Sequence, residues 1–235
     1  MTLVEVMVAA ALLAVLIGVA VPSLQGILDA RQTGAAKQLA LTYRYLRDEA
    51  ALRNVTFRFV YYLDQNTWTV EVGDPDTMVF TTPEARADFE EQIEDDLKRY
   101  TQREIEEGEA SDVTDKLGRF TGLSDPALEG MVELPRGVRF AWVWTPQYDE
   151  PVEPSDEPPD PEDFEEDPGE VVYSYIFADG TAEQTLVRIA DVDDDDDGYT
   201  LEVEPLSGRV TLHDEVLDYE DLLAWMPDEG PELPR

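Results

Sequence analysis

The first 21 residues of the chain contain a single charged side chain, Glu5. The uncharged residues 6–21 end at Pro22. Together with residues 1–4 they approach the roughly 20 apolar residues needed to cross a hydrocarbon core of about 30 Å. A soluble helix is rarely apolar on every face. We therefore expect residues 1–22 to form a helix that lies in a membrane or in the core of a helical filament.

Glu5 is the costly residue of this segment. A carboxylate at the centre of a bilayer costs on the order of 2.5–3.5 kcal/mol on insertion scales, so it needs a partner there. The nearest candidate cation is the N-terminal amine of Met1, in this chain or in a neighbouring copy. The alternative is that Glu5 lies among the lipid headgroups, in contact with water. A secretory signal peptide is a poorer interpretation, because no basic residue precedes the apolar run.

After Pro22 the apolar residues recur at helical spacing, which predicts an amphipathic helix over residues 23–54 that packs on a globular body. Because proline lacks an N–H donor, we expect the helix to bend or open between residues 18 and 26. Asn54 is the predicted C-terminal stop. The predicted core stripe consists of Leu24, Leu28, Ala35, Leu39, Tyr43, Leu46 and Ala50.

The rest of the chain predicts an α+β organisation. We expect an antiparallel, sandwich-like β-domain, built from residues 55–82 and 131–216 and packed on residues 23–54. An acidic helical insertion over residues 83–130 and a C-terminal tail over residues 217–235 complete it. The insertion would cover the domain or contact a neighbouring subunit. Alternation of apolar and polar residues predicts seven strands, over residues 56–63, 67–72, 138–145, 171–178, 185–192, 199–205 and 208–214.

Acidic residues are concentrated in the body. The formal net charge of the chain is −37, yet residues 1–56 hold five basic and four acidic side chains. Residues 57–235 hold the other 12 basic and 50 acidic ones. Such a body repels phosphate, so we expect no nucleic-acid partner. It would attract cations or basic partners, or serve solubility alone. Residues 146–170, rich in proline and acid, predict a flexible acidic loop.

The residue types needed for catalysis are scarce. The chain has no cysteine, which excludes disulfides and thiolate chemistry. Its one histidine, His213, stands beside Asp214 without a serine motif or a glycine-rich phosphate loop elsewhere. Because no nucleophile, base and orienting group can be assembled from these residues, we expect no enzyme and no cofactor.

A run of five aspartates is the sharpest metal candidate. Residues 193–204 fit the EF-hand spacing D-x-D-x-D-G-x5-E. The predicted flanks are strands and not helices, so a solvated hairpin tip is the alternative. The candidate ligands of a weak calcium site are Asp193, Asp195, Asp197 and Glu204.

The segment "MTLVEVMVAAALLAVLIGVAVPSL" resembles the mature N-terminus of the type IV pilin superfamily, including Glu5 and Pro22. One departure is Met1, where the family more often has phenylalanine. The resemblance implies that prepilin peptidase removes a basic leader and that the new N-terminal amine is methylated, so the chain resembles the processed form. It also implies that Glu5 neutralises the N-terminal ammonium of an adjacent subunit as the helix passes from membrane to filament.

A second stretch, "LRDEAALRN" followed by "VTFRFVYYLDQNTWTVEV", resembles minor pseudopilins and minor pilins of the GspH/FimT type. The matching residues are Arg47, Glu49, Ala50, Arg53 and Asn54. The resemblance implies a minor pseudopilin at the tip or priming complex of a type II secretion system. A minor pilin of a type IV pilus is the first alternative, and a membrane-anchored adhesion or ligand-binding module is the second.

The resemblance also implies partners and location. The partners would be other major and minor pilin-like subunits, with prepilin peptidase as the processing enzyme. The chain would cross the inner membrane once, with its body in the periplasm, and would enter the filament on assembly. The residues expected to carry assembly are Met1, Glu5 and Pro22.

Overall fold

A computed structural model describes the chain over residues 3–75, 79–80, 82–98, 120–123, 125, 128, 130–164 and 167–220. Within its first helix, the side chains of residues 3–4, 9, 11 and 13–28 lie outside the description. The elements in chain order are α1 (Leu3–Arg53), β1 (Thr56–Tyr62), β2 (Thr67–Gly73), α2 (Pro83–Leu97), β3 (Thr121–Gly122), β4 (Val132–Glu133), β5 (Val138–Trp144), β6 (Val171–Ile176), β7 (Thr185–Asp191), β8 (Gly198–Val203) and β9 (Val210–His213).

Helix α1 is 51 residues long and passes through Pro22 without a break. The opening expected between residues 18 and 26 is therefore absent. The helix ends where predicted, because Asn54 adopts a φ of 52°. Asparagine tolerates this left-handed conformation better than most residues. The Val55 N–H then donates to the Ala50 carbonyl at 3.2 Å, which satisfies one of the last helical carbonyls.

The strands form two antiparallel sheets. The first sheet has the order β3-β2-β1-β6, with β4 also paired to β2, and the second has the order β5-β7-β8-β9. The seven strands of four or more residues match the predicted segments, except that β2 ends at Gly73 and β8 begins at Gly198, each one residue beyond its prediction. This agreement confirms the α+β class. The two-residue strands β3 and β4 were not predicted. Since β3 lies at residues 121–122, the predicted insertion over residues 83–130 is not helical throughout.

One core joins α1 to both sheets. The five predicted stripe residues from Ala35 to Ala50 are all buried there, whereas the side chains of Leu24 and Leu28 lie outside the description. The Tyr61 ring of the first sheet meets the Phe140 ring of the second edge-on, with centroids 5.6 Å apart. Edge-to-face geometry is favourable for aromatic pairs beyond the area they bury. The amphipathic half of α1 therefore packs where the two sheets meet.

The first turns of α2 cover the face of the first sheet opposite the core. The Arg86 guanidinium lies 4.0 Å from the centroid of the Tyr173 ring and donates to the Tyr175 hydroxyl at 2.9 Å. The Phe89 ring of α2 packs against Phe80, with centroids 5.1 Å apart. Cation–π contacts of this kind hold a surface helix without an apolar groove. Residues 99–119, the rest of the predicted acidic helix, lie outside the description.

Residues 146–164 and 167–170 contain no helix or named strand, but they are attached to the body. The Asp64 carboxylate accepts hydrogen bonds from the Ser155 N–H at 2.6 Å and the Glu170 N–H at 2.7 Å. Gln147 is buried, and Val152 pairs with Val143 of β5. The composition of the loop could not predict these contacts, because each of them joins the loop to a residue outside it.

The chain after β9 crosses the second sheet. The Thr200 hydroxyl of β8 donates to the Glu215 carbonyl at 2.8 Å. The Tyr219 ring then lies 5.6 Å from the Trp144 ring of β5. The start of the predicted tail is therefore packed on the body, and residues 221–235 lie outside the description.

Leu46→Ala tests the packing of α1, because the Leu46 side chain is fully buried. We expect the free energy of unfolding to fall by about 2–5 kcal/mol, the usual cost of this truncation in a core. Leu52, on the same helix and 80% exposed, gives the matched control. Leu52→Ala should change stability by less than about 0.5 kcal/mol. Urea unfolding of the full chain in detergent measures both, and equal effects would contradict this packing.

Asp64→Ala tests the attachment of the acidic loop. Two backbone N–H groups lose their acceptor, and each loss costs about 1–3 kcal/mol where water cannot replace it. We expect cleavage within residues 153–164 by a glutamate-specific protease to become about tenfold faster or more, because local opening governs the rate. Asp156→Ala, at an exposed position of the same loop, should leave the rate unchanged. A cleavage rate unaffected by Asp64→Ala would show that the clamp is unimportant.

Candidate assembly surface

The N-terminal end of α1 presents apolar side chains to its surroundings. Glu5 lies in the first helical turn and is exposed. Anionic side chains are favoured at this end of a helix by the helix dipole. Met1 lies outside the described residues, so the pairing of Glu5 with an N-terminal amine stays a prediction. The exposed apolar residues of this end are Val6, Met7, Val8 and Leu12.

The membrane assignment depends on side chains that the structure leaves out. In the described part of the chain, no helix combines the length and the apolar character needed to span a membrane. The side chain of Pro22 belongs to the undescribed set, residues 13–28. A membrane location for residues 1–22 and the assembly role of Pro22 therefore stay predictions.

Polar contacts attach α1 to one end of the second sheet. The Gln32 amide nitrogen donates to the Asp197 carbonyl at 3.1 Å, and the Thr33 hydroxyl donates to the Tyr199 hydroxyl at 3.0 Å. The Arg31 guanidinium donates to the Arg136 carbonyl at 3.0 Å. Gln32 is buried, and a buried amide must be hydrogen-bonded to be tolerated. These contacts fix the helix beside the aspartate loop.

The residues that resemble the GspH/FimT pattern join the end of α1 to the β8–β9 hairpin. Ala50 is buried in the core, and Glu49 forms an ion pair with Arg53 one turn later. The Arg47 side chain packs so closely on Gly208 that a Cβ there would meet it at 2.7 Å. Gly208 also has a φ of 56°, a conformation that glycine adopts at little cost. The pattern therefore serves the junction of helix and body.

A buried chain of hydroxyl groups lies under the middle of α1. The Tyr43 hydroxyl donates to Ser174 Oγ at 2.9 Å and lies 2.8 Å from the Tyr61 hydroxyl. Ser174 Oγ is 2.6 Å from Thr185 Oγ1, which donates to the Glu183 carbonyl. Every hydroxyl is satisfied if protons run in one direction along this chain. Burial raises the pKa of Tyr43 to about 12, so the hydroxyl stays protonated at neutral pH.

The aspartate run forms the β7–β8 hairpin tip. Two arginine side chains of the same chain donate hydrogen bonds to it. The buried Arg188 of β7 donates to the Asp195 and Asp196 carbonyls at 2.8–3.1 Å. Arg139 of β5 donates to both carboxylate oxygens of Asp195, at 2.6 and 2.8 Å. Charge-assisted bonds of this kind are among the stronger ones in proteins. Neither arginine was predicted as a partner of this loop, because each looks like an ordinary sheet residue in its own strand.

The four proposed calcium ligands are not gathered. Because β8 is extended, Glu204 lies at the opposite end of that strand from Asp197, roughly 20 Å away at the rise of a strand. Glu204 is paired with Arg209 instead. Asp193 stays exposed at the tip. Over the described residues, no group of three or more acidic or histidine side chains is placed to hold a metal ion. Strands, and not the helices of an EF-hand, flank the aspartate run on both sides.

His213 pairs with a carboxylate of the neighbouring strand. Its Nε2 lies 2.9 Å from a Glu202 carboxylate oxygen, and both side chains are partly exposed. A histidine and an acid alone make an orienting pair and lack a nucleophile. The expectation of no enzyme activity therefore has no structural test here.

No protein-family model matches the chain, and no curated protein sequence matches it. Two solved structures of the minor pseudopilin EpsH from the type II secretion system of Vibrio cholerae are similar. One has a TM-score of 0.49 at 10% identity and covers 80% of this chain and 99% of its own. The other has a TM-score of 0.46 at 11% identity, with 81% and 98% covered.

Both TM-scores lie below 0.5 and both identities below 25%. The function proposed below therefore rests on the residues of this chain.

A partly buried carboxylate lies next to the hydroxyl chain. The Gln147 amide nitrogen lies 3.0 and 2.9 Å from the two Glu183 carboxylate oxygens. Burial raises the pKa of Glu183 to about 7, against the opposing effects of this hydrogen bond and of Arg86. A group whose pKa is raised on folding binds its proton more tightly in the folded state. Glu183 therefore stabilises the fold more as pH falls from about 8 towards 4.5.

Glu183→Gln should abolish this pH dependence. At pH 8 we expect the variant to be more stable than the wild type by about 1–3 kcal/mol, since it lacks the buried charge. At pH 5 the difference should be much smaller, because the carboxyl of the folded wild type is then protonated. Chemical denaturation at both pH values measures the difference. Glu153→Gln, at an exposed position, should give a pH-independent difference. A pH-independent stability difference for Glu183→Gln would refute the raised pKa of Glu183.

Proposed function

We propose that the chain is an assembly subunit of a pilin-like filament, and specifically a GspH-like minor pseudopilin of a type II secretion system. The observation that carries this proposal is Glu5 in the first turn of a helix whose next residues are apolar. Residues 1–24 supply the pilin-like pattern in which this acid occurs. The role is structural and not catalytic. A minor pilin of a type IV pilus shares the same pattern and is the alternative.

The division of α1 supports this role. Its second half, from Gln32 to Ala50, is committed to the core of the body. Its first half has no described partner surface within the body and carries exposed apolar residues from Val6 to Leu12. Exposed apolar surface of this kind marks contact with a membrane or with other proteins. A helix held at one end by a body and apolar at the other suits both membrane anchoring and packing in a filament.

Glu5 favours the transfer of such a helix from the bilayer into a filament. An uncompensated charge is penalised in a low-dielectric surrounding, whereas a close ion pair offsets part of that penalty. The N-terminal ammonium of a neighbouring subunit would supply the pair once the helices are bundled. Processing by prepilin peptidase, residence in the inner membrane with the body in the periplasm, and entry into the filament belong to the same proposal.

The charge of the body favours a subunit present in few copies. Fifty acidic residues against 12 basic ones over residues 57–235 would repel one another along a shaft of identical bodies. A position at the tip or in the priming complex places one such body beside different subunits. We therefore propose the tip complex and not the shaft as the place of this chain.

Glu5→Gln tests the proposal. Removing one partner of a desolvated ion pair costs about 3–5 kcal/mol. We expect recovery of other pilin-like subunits, cross-linked in the membrane of the producing cell, to fall at least tenfold. Asp29→Asn, an exposed acid further along α1, is the matched control and should leave recovery unchanged. Both variants should unfold like the wild type. Undiminished recovery with Glu5→Gln would rule out this role for Glu5.

A further inference from the structure

A groove runs along α1 on the side away from the core. Its floor and one wall come from α1, and Leu128 forms part of the other wall. Its volume is about 440 Å³. Leu41 is 61% exposed in it and Tyr45 is 41% exposed, although large apolar side chains on this half of the helix could have been placed in the core. The helical residues that line it are Gly34, Lys37, Gln38, Leu41, Thr42 and Tyr45.

The spacing of the groove residues suits a second helix. Gly34, Gln38, Leu41 and Tyr45 are separated by four, three and four residues, the alternation of a seam between two packed helices. A Cβ on Gly34 would meet nothing within 4 Å, so the space above it is open. Small residues in a seam let a second backbone approach closely. The groove therefore offers a small residue at one end. At the other end lie Leu41 and the ring of Tyr45, whose hydroxyl donates to the Asp125 carboxylate at 2.7 Å.

Lys37 indicates which charge a partner at this groove should carry. Its side chain is exposed beside the apolar stripe. In the described regions Lys37 enters no ion pair, whereas Arg31 and Arg44 on the same helix each donate to a backbone carbonyl. Opposite charge beside an apolar contact selects partners and fixes their register. The matching occupant carries an acidic side chain next to its apolar stripe.

We propose that this groove binds an amphipathic helix of a partner protein whose apolar stripe is flanked by acidic residues. The partner class follows from Leu41 and Tyr45 for the apolar contact, Gly34 for the close approach and Lys37 for the charge. Anionic lipid is the less suitable occupant, because a body with 50 acidic residues repels an anionic surface. The proposal extends the assembly function above, yet it does not involve Glu5, so each can fail without the other.

The test uses the full chain in detergent micelles and two labelled synthetic helices of 18 residues. Both probes carry the same leucine stripe, flanked by glutamates in the acidic probe and by lysines in the basic probe. Fluorescence anisotropy should show the acidic probe binding at least tenfold more tightly. Leu41→Ser should weaken this binding about tenfold, since about half of a leucine side chain no longer becomes buried. Leu52→Ser, on the same helix but outside the groove, is the matched control and should leave the binding of the acidic probe unchanged.

Charge reversal separates specific binding from partition into micelles. Lys37→Glu should reverse the preference, so that the basic probe binds more tightly than the acidic one. Equal effects of Leu41→Ser and Leu52→Ser, or an unchanged preference in Lys37→Glu, would overturn the proposal. So would binding of vesicles of anionic phospholipid by the reconstituted chain that Leu41→Ser abolishes. Normal probe binding by Glu5→Gln supports the groove whether or not that variant still assembles.

Discussion

Tyr43 of α1 stacks on Phe59 of β1 at 3.9 Å and shares its hydroxyl with Tyr61 and Ser174. These groups are fully buried, so a hydroxyl left without a partner would cost about 1–3 kcal/mol. The hydrogen bonds close only if the helix sits at one height and one rotation over the sheets. This cluster therefore fixes the position of α1, and the position of α1 determines which residues of the helix face the core and which face outward.

The other features of the molecule follow from that rotation. With Leu39, Tyr43 and Leu46 turned inward, the opposite side of the helix must carry whatever the sequence has there, including Leu41 and Lys37. A helix of average composition would place polar residues on that side. Here three large side chains, Leu41, Tyr45 and Leu52, are exposed, and the same helix continues into an apolar N-terminal end. The exposed side of α1 has the character of an interface over its described length.

Local patterns in the sequence predicted the elements well and their attachments poorly. Alternation over residues 56–63 and the Asn54 stop depend on neighbours in sequence, so the helix end and the seven longer strands could be predicted. The contacts of Asp64 reach Ser155 and Glu170, which are 91 and 106 residues away. No local pattern announces such partners. The two-residue strands β3 and β4 are too short to show a period.

The aspartate loop shows the same limit at a candidate site. Five aspartates in a row suggest a bound cation by composition alone. The charges that the loop meets are Arg188 and Arg139, from strands on which each arginine looked like an ordinary sheet residue. Glu204 could enter the calcium hypothesis only if residues 198–203 curled, and they form a strand instead. The spacing of ligands in sequence is informative only together with the backbone that carries them.

The distribution of charge and the exposed apolar side chains single out the same part of the chain. Over the described residues, internal ion pairs such as Arg58 with Glu71 involve few acidic side chains, and residues 57–235 hold 50 acidic residues against 12 basic ones. Bodies of this charge repel one another over about a Debye length, near 8 Å at physiological salt. Residues 1–56 are nearly neutral by contrast. Close contact between subunits is therefore least opposed along α1, which is also where the exposed apolar side chains and Glu5 lie.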